Sequence, residues 1–232
     1  MKDNIEKRAL IVVDMQNDFL IGSLCIKNGP AHEDPLEIVE PLNKLIKSNF
    51  FDLIVFTKDW HPTNHISFYD NIHDLDRSLS DNCKNYKCFD DVLFIKPFEC
   101  KQVVFPKHCI RNTPGAEIYN DIIVPENSII VKKGTDIFHD SYSGFFDNLK
   151  INKTELEDKL KENNIDSVFV CGVALEYCVS STANDASDLG FKTYFITDCT
   201  RGLNFDDMIK AKDEMKRHGV INVTSKEISS TL

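Results

Sequence analysis

No run of residues in this chain approaches the roughly 20 consecutive apolar positions that a membrane-spanning helix requires. Positive charge is also in deficit: 27 Lys and Arg stand against 37 Asp and Glu, for a net charge of −10. Such a balance repels phosphate backbones and acidic lipid, and there is no local basic patch to offset it, so neither nucleic acid nor a membrane surface is expected as a partner. A small neutral or cationic ligand fits better. No Cys-x-x-Cys pair occurs among the eight cysteines, which disfavours a thiol redox protein. The N-terminal Met1–Leu10 stretch has the wrong shape for a signal peptide, so free thiols in a cytoplasmic setting are the expectation. The final Ser230-Thr231-Leu232 only loosely resembles a peroxisomal Ser-Lys-Leu address. No Pro-, Gly- or Ser-rich linker, internal repeat or low-complexity segment divides the chain, so residues 1–232 read as one domain.

What the sequence does contain is an alternation of short β-branched or aromatic runs with amphipathic segments, the pattern of a parallel sheet covered by helices on both faces. The runs Ala9–Val13, Leu53–Thr57, Ile129–Lys132, Val168–Val173, Thr193–Thr197 and Val220–Val223 predict six strands. Helical periodicity appears over Glu37–Ser48, where Pro41 marks either the start or a kink. A second helix follows Thr154, with Thr154 and Glu157 at capping-box spacing, and should end near Asn163 or Asn164. A third covers Glu176–Leu189 and stops at Gly190; Asn204 and Gly219 bracket a fourth. Residues 69–104 break the rhythm. They read as a long excursion, a lid or variable insertion, in which Cys83, Cys88 and Cys100 lack the paired spacing of a zinc site.

Four constellations could carry chemistry. Asp14 follows the first predicted strand, and open parallel sheets place their sites at such strand ends; alone, Asp14 reads equally well as a turn or cap residue. Asp59-Trp60-His61 follows the second strand, and its alternating spacing points both potential ligands to one side. His108, in Phe105-Pro106-Lys107-His108, could supply a third ligand, although loop histidines without metal have the same spacing. Lys133-Gly134 ends the third strand, where a lysine is ordinarily a solvated charge. Finally, Cys178 falls in the first turn of the helix after Gly172, where free N–H groups and the helix dipole are expected to lower its thiol pKa and to bind an oxyanion. Cys171, inside the apolar strand, reads as inert core.

Together these elements, in this chain order, resemble the cysteine-hydrolase superfamily of isochorismatases and nicotinamidases, over about Ala9 to Arg201. Asp14, Lys133-Gly134 and the Gly172-Val173-Ala174-Leu175-Glu176-Tyr177-Cys178 turn carry the resemblance, and the Asp-x-His set is similar to the nicotinamidase branch. The resemblance implies an α/β three-layer sandwich, with a six-stranded, mostly parallel sheet of order 3-2-1-4-5-6 and a cis peptide between Val173 and Ala174. It implies hydrolysis of nicotinamide to nicotinate and ammonia through a thioester. Cys178 would be the nucleophile, Asp14 the base, Lys133 the stabilising cation, and the N–H groups of Ala174 and Cys178 the oxyanion hole.

The resemblance further implies one divalent metal on Asp59, His61 and His108, for which Zn²⁺ is preferred, with Mn²⁺ or Fe²⁺ also suited to two nitrogens and one oxygen. Phe19, Phe105 and Tyr142 would line the ring pocket. Two positions depart from the bacterial pattern: His65 sits in a His-Ile-Ser-Phe string like that of fungal members and is left out of the ligand set, and Phe105 stands where relatives usually carry Trp. Other small-amide hydrolysis, on a pyrazine or ureido amide, and a non-catalytic binding homologue remain open, as does a homo-oligomer.

Overall fold

The structure, a computed structural model, describes residues 6–230; Met1 to Ile5 of the N-terminal segment and Thr231-Leu232 of the Ser-Thr-Leu ending lie outside the described residues. Its first strand, β1 (Arg8–Val13), shows how the core is built. Ala9, Ile11 and Val13 project to one face of the sheet and Leu10 and Val12 to the other, and all five are fully buried. Each such Val, Leu or Ile contributes about 1.5–3 kcal/mol when buried. A continuous apolar run of this kind is stable only where helices cover both faces.

Helix α1 (Asn17–Leu20) follows β1 directly, and α2 (Val39–Lys47) comes after a 3₁₀ turn at Pro35–Ile38. Pro41 falls in the first turn of α2, where its missing N–H would have had no helical partner, so it neither begins nor kinks the helix. Strand β2 (Leu53–Asp59) returns through the core, and β3 (Ser78–Leu79), β4 (Asp91–Lys96) and β5 (Cys100–Val103) form a separate antiparallel sheet. The remaining core strands are β6 (Ile129–Lys133), β7 (Ser167–Gly172), β8 (Lys192–Thr200) and β9 (Ile221–Val223). The main sheet has the order β6-β2-β1-β7-β8-β9, which is 3-2-1-4-5-6 in core-strand terms, and all five pairings are parallel.

The helices α3 (Leu156–Glu162), α4 (Ser180–Asp188) and α5 (Phe205–Arg217) pack Leu156, Leu160, Ala183, Ala186, Met208 and Met215 on the Ile11 face. On the opposite face, α2 and α6 (Ser225–Ser229) contribute Leu42, Leu45, Ile46 and Ile228. Among the described residues no helix is long and apolar enough to cross a membrane.

Local signals differ from expectation in three further places. The capping box at Thr154 does not form: its N–H goes to the Phe145 carbonyl, its hydroxyl to Gly144, and Glu157 pairs with Lys161 instead. The helix expected from Glu176 begins as a π turn, Leu175–Val179, before α4. The stretch 69–104 is no open excursion, since Leu79, Val92, Phe94 and Cys100 of the second sheet bury against Ile66, Ile72, Tyr86 and Val104 in a core of their own. Two-residue alternation in β4 was masked by exposed Leu93 and Ile95 on its outer face. Cys83 is exposed, Cys88 half-buried and Cys100 buried; all three are free thiols.

Candidate active site

Parallel pairing brings four strand ends to one edge of the sheet. Val13 is in register with Gly172, and Asp59 with Lys133, so Asp14, Asp59, Lys133 and the turn leading to Cys178 meet there. Two glycines make the approach sterically feasible. A Cβ on Gly172, whose φ is +119°, would lie 2.1 Å from the Val13 carbonyl oxygen; one on Gly134, φ +60°, would lie 2.4 Å from the His61 ring. Side chains at either position would push the β1 and β7 ends apart or displace the imidazole. The peptide between Val173 and Ala174 is cis.

Lys133 sits at the centre, 1% exposed. Its Nζ donates to Asp59 Oδ1, to the Ser141 carbonyl at 2.9 Å and to Cys178 Sγ at 3.3 Å. Those contacts occupy the three N–H bonds of an ammonium. Asp14 Oδ2, although 2.9 Å from the same nitrogen, therefore accepts no well-directed hydrogen bond. Its other oxygen accepts from the Thr57 hydroxyl at 2.6 Å. A buried carboxylate with one oxygen satisfied and the other open toward a thiol has the geometry of a proton acceptor.

Burial pushes the Asp14 carboxyl upward, against the pull of Lys133. For Lys133 the same burial is outweighed by Asp14, Asp59 and the neighbouring thiol, and its ammonium is held well above the usual lysine range. The Cys178 thiol is likewise pushed well above its ordinary value by burial, with Lys133 opposing and Asp14 adding to the rise. This corrects the sequence expectation of a lowered thiol. The sulfur lies in an enclosed π turn beside a carboxylate, where desolvation exceeds what helix-start dipoles supply.

Next to this trio, one oxygen of Asp59 and one nitrogen each of His61 and His108 lie within 4.8 Å of one another, all buried. Both rings are oriented from behind: His61 Nδ1 is 2.8 Å from the Gly134 carbonyl and His108 Nδ1 is 2.8 Å from that of Pro106. A carbonyl can only accept, so in the neutral rings the proton resides on Nδ1 and the Nε2 lone pairs face Asp59 Oδ2, at 3.5 and 3.9 Å. Burial alone would raise the Asp59 carboxyl, but Lys133 and the two histidines hold it well below the usual carboxylate range. Burial lowers His108 to about 4. The donor set suits a divalent cation of the zinc, manganese or iron(II) type. His65 stacks on His61, the ring centroids 4.1 Å apart, and its Nδ1 lies 2.7 Å from the Ser67 hydroxyl; it is outside the Asp59, His61 and His108 group but forms a second buried one with His61 and Asp140.

A cavity of about 30 Å³ opens onto both clusters, lined by Phe19, Phe105, Tyr142 and Ala174 together with Cys178, Asp59 and His108. Phe19 tilts against His108, and Phe105 meets Tyr177 edge-on at 5.5 Å. Leu24, Tyr177, Leu203 and Asp140 line it too and were not anticipated, since nothing local marks them. Gln16 was also missed: its amide bonds the N–H and carbonyl of Asp59 at 2.8 Å each, clamping the ends of β1 and β2 together.

Fold and cluster define a class, the α/β hydrolases built around a cysteine. Residues 8–227 match the isochorismatase domain. The chain is 36% identical to the nicotinamidase of Saccharomyces cerevisiae over 94% of its own length and 100% of that protein's. It superposes with a TM-score of 0.82 on an Acinetobacter nicotinamidase/pyrazinamidase, at 34% identity, covering 97% of this chain and 99% of the other. A pyrazinamidase from Pyrococcus horikoshii, solved in complex with zinc, is 34% identical with a TM-score of 0.71, covering 94% and 99% of the two chains. The chain belongs to the isochorismatase family, in its nicotinamidase branch.

Proposed function

We propose that this protein is a nicotinamidase, which hydrolyses the carboxamide of nicotinamide to nicotinate and ammonia through a thioester on Cys178. The observation that carries the reading is the meeting of Cys178 Sγ, Lys133 Nζ and Asp14 Oδ2 beside the Asp59, His61 and His108 donors, with Cys178, Asp59 and His108 lining one cavity. The thiol is protonated at rest, so attack on the carboxamide carbon is coupled to transfer of its proton to Asp14 Oδ2. Lys133 offsets the negative charge that develops on sulfur. As the C–N bond breaks, Asp14 returns the proton to the departing nitrogen, and ammonia leaves. The same carboxylate then takes a proton from the water that cleaves the thioester, and the thiol is restored.

The N–H groups of Leu175, Tyr177 and Val179 are committed to the carbonyls of Arg201 and Ala174. Those of Ala174 and Cys178 are the donors proposed for the tetrahedral oxyanion, each worth about 10²–10³-fold in rate. Asp59, His61 and His108 would hold a divalent ion, proposed to be zinc, which when bound supplies a Lewis-acidic position for the ring nitrogen. Phe19, Phe105 and Tyr142 would pack on the ring and keep bulk water away from the thioester carbon.

Cys178→Ala tests the route: the variant is expected to fold and to release neither ammonia nor nicotinate from nicotinamide, and turnover above background would sink the thioester reading. A panel with pyrazinamide and a ureido amide sets the substrate range. Ammonia release from the ureido compound at the rate seen with nicotinamide would show that ring recognition plays no part.

A further inference from the structure

The second sheet reaches the metal-binding cluster through one side chain. Gln102, on β5, is 5% exposed, and its amide Nε2 donates to Asp140 Oδ2 at 2.8 Å. The other Asp140 oxygen accepts from the Ser141 N–H, also at 2.8 Å. This carboxylate is 6% exposed, lines the cavity with Asp59, His108 and Cys178, and has an oxygen within 4.8 Å of ring nitrogens of both His61 and His65. It is neither one of the three proposed ligands nor one of the reacting groups.

Charge accounting shows what it could do there. Lys133 is ion-paired with both Asp59 and Asp14, so one ammonium stands against two carboxylates and, with His61 and His108 neutral, these groups together leave a single negative charge. A dication entering this buried position would have only one of its two charges compensated by them. One further buried carboxylate lies beside the cluster to supply the second charge, Asp140. Among the described residues Asp140 makes no ion pair with a lysine or arginine; its bonds come from an amide and a backbone N–H.

We infer that Asp140 is a positioning residue that retains the divalent ion by its charge, and that Gln102 is the means by which the second sheet keeps that carboxylate turned into the site. The stretch 69–104 then belongs to the metal centre rather than serving only as a surface insertion. This inference rests on the metal reading proposed above.

Its test is zinc affinity, measured on protein stripped with a chelator and titrated with Zn²⁺ in competition with a chromophoric chelator. Asp140→Asn is expected to weaken binding by about 10–100-fold, the range for groups that act on a metal from behind its ligands. The melting temperature of its stripped form should not fall, because the substitution removes a like charge beside Asp59. Wild-type zinc affinity in Asp140→Asn overturns the inference; so does an unchanged affinity with a raised KM for nicotinamide, which would make Asp140 a substrate contact. Should that variant not fold, Gln102→Leu is expected to lose affinity several-fold while Asp140→Glu, which keeps the charge, stays close to wild type; equal affinity in Gln102→Leu and wild type overturns it. Failure of the wild-type protein itself to bind Zn²⁺ would instead remove the metal reading.

Discussion

At Cys178 two opposing electrostatic influences act on one sulfur. Lys133 draws the thiol toward ionisation, while burial and Asp14 hold the proton on it, and burial is the largest of the three. A resting thiol of this kind should react slowly with iodoacetamide at neutral pH. Asp14→Asn removes an anion that raises the thiol, so alkylation of Cys178 should become faster even as amide hydrolysis stops. Loss of both reactivities in that variant would place Asp14 in a structural role. Thr57 offers a finer probe, since its hydroxyl bond lowers the Asp14 carboxyl. Thr57→Val should raise that carboxyl further and cut kcat/KM about tenfold, equivalent to about 1.4 kcal/mol. Because the reaction needs the carboxylate, the acid limb of the pH–rate profile should move to higher pH. An unmoved limb would mean that another group controls it.

Among the secondary elements, helix ends show most clearly how local and tertiary preferences combine. Asn204 caps α5 by accepting from the N–H groups of Asp206 and Asp207, as its position before an apolar periodicity indicates. Where α5 ends, His218 bonds Asp188 at the end of α4 at 2.7 Å and Glu214 of α5 at 3.2 Å, and these carboxylates raise its pKa. The folded state therefore holds the imidazolium more tightly than the unfolded chain does. That stabilisation is complete below about pH 6.5, the unfolded value, and disappears as pH rises through the raised native value. His218 is half-buried but its carboxylate partners Asp188 and Glu214 reach solvent, so screening limits the gain to about 0.5 kcal/mol. His218→Gln should lower Tm by roughly 1–2 °C at pH 5.5 and leave it unchanged at pH 9; equal shifts at both would show that packing, not charge, is responsible.

For the molecule as a whole, the test is coupling between metal and stability. An ion bound a thousandfold below its free concentration stabilises the native state by about 4 kcal/mol, so chelation should lower Tm by roughly 10 °C and abolish or weaken nicotinamide turnover. Unchanged melting and kinetics after chelation would dismiss the metal site. Much of this architecture was legible in one dimension, because apolar runs such as Ala9–Val13 and helix signals such as Gly190 act locally, and because Asp14, Asp59, Lys133 and Cys178 each follow or end a strand. The sequence by itself determined the six strands of the main sheet, its covered parallel character and the residue types available at its edge. Only the tertiary structure decided that Asp140 and Gln102 belong beside His61, that residues 69–104 hold a core of their own, and that the Cys178 thiol is raised rather than lowered. Those outcomes depend on burial and on charges from distant segments, and desolvation is a property of the folded interior that no spacing of residues along the chain encodes.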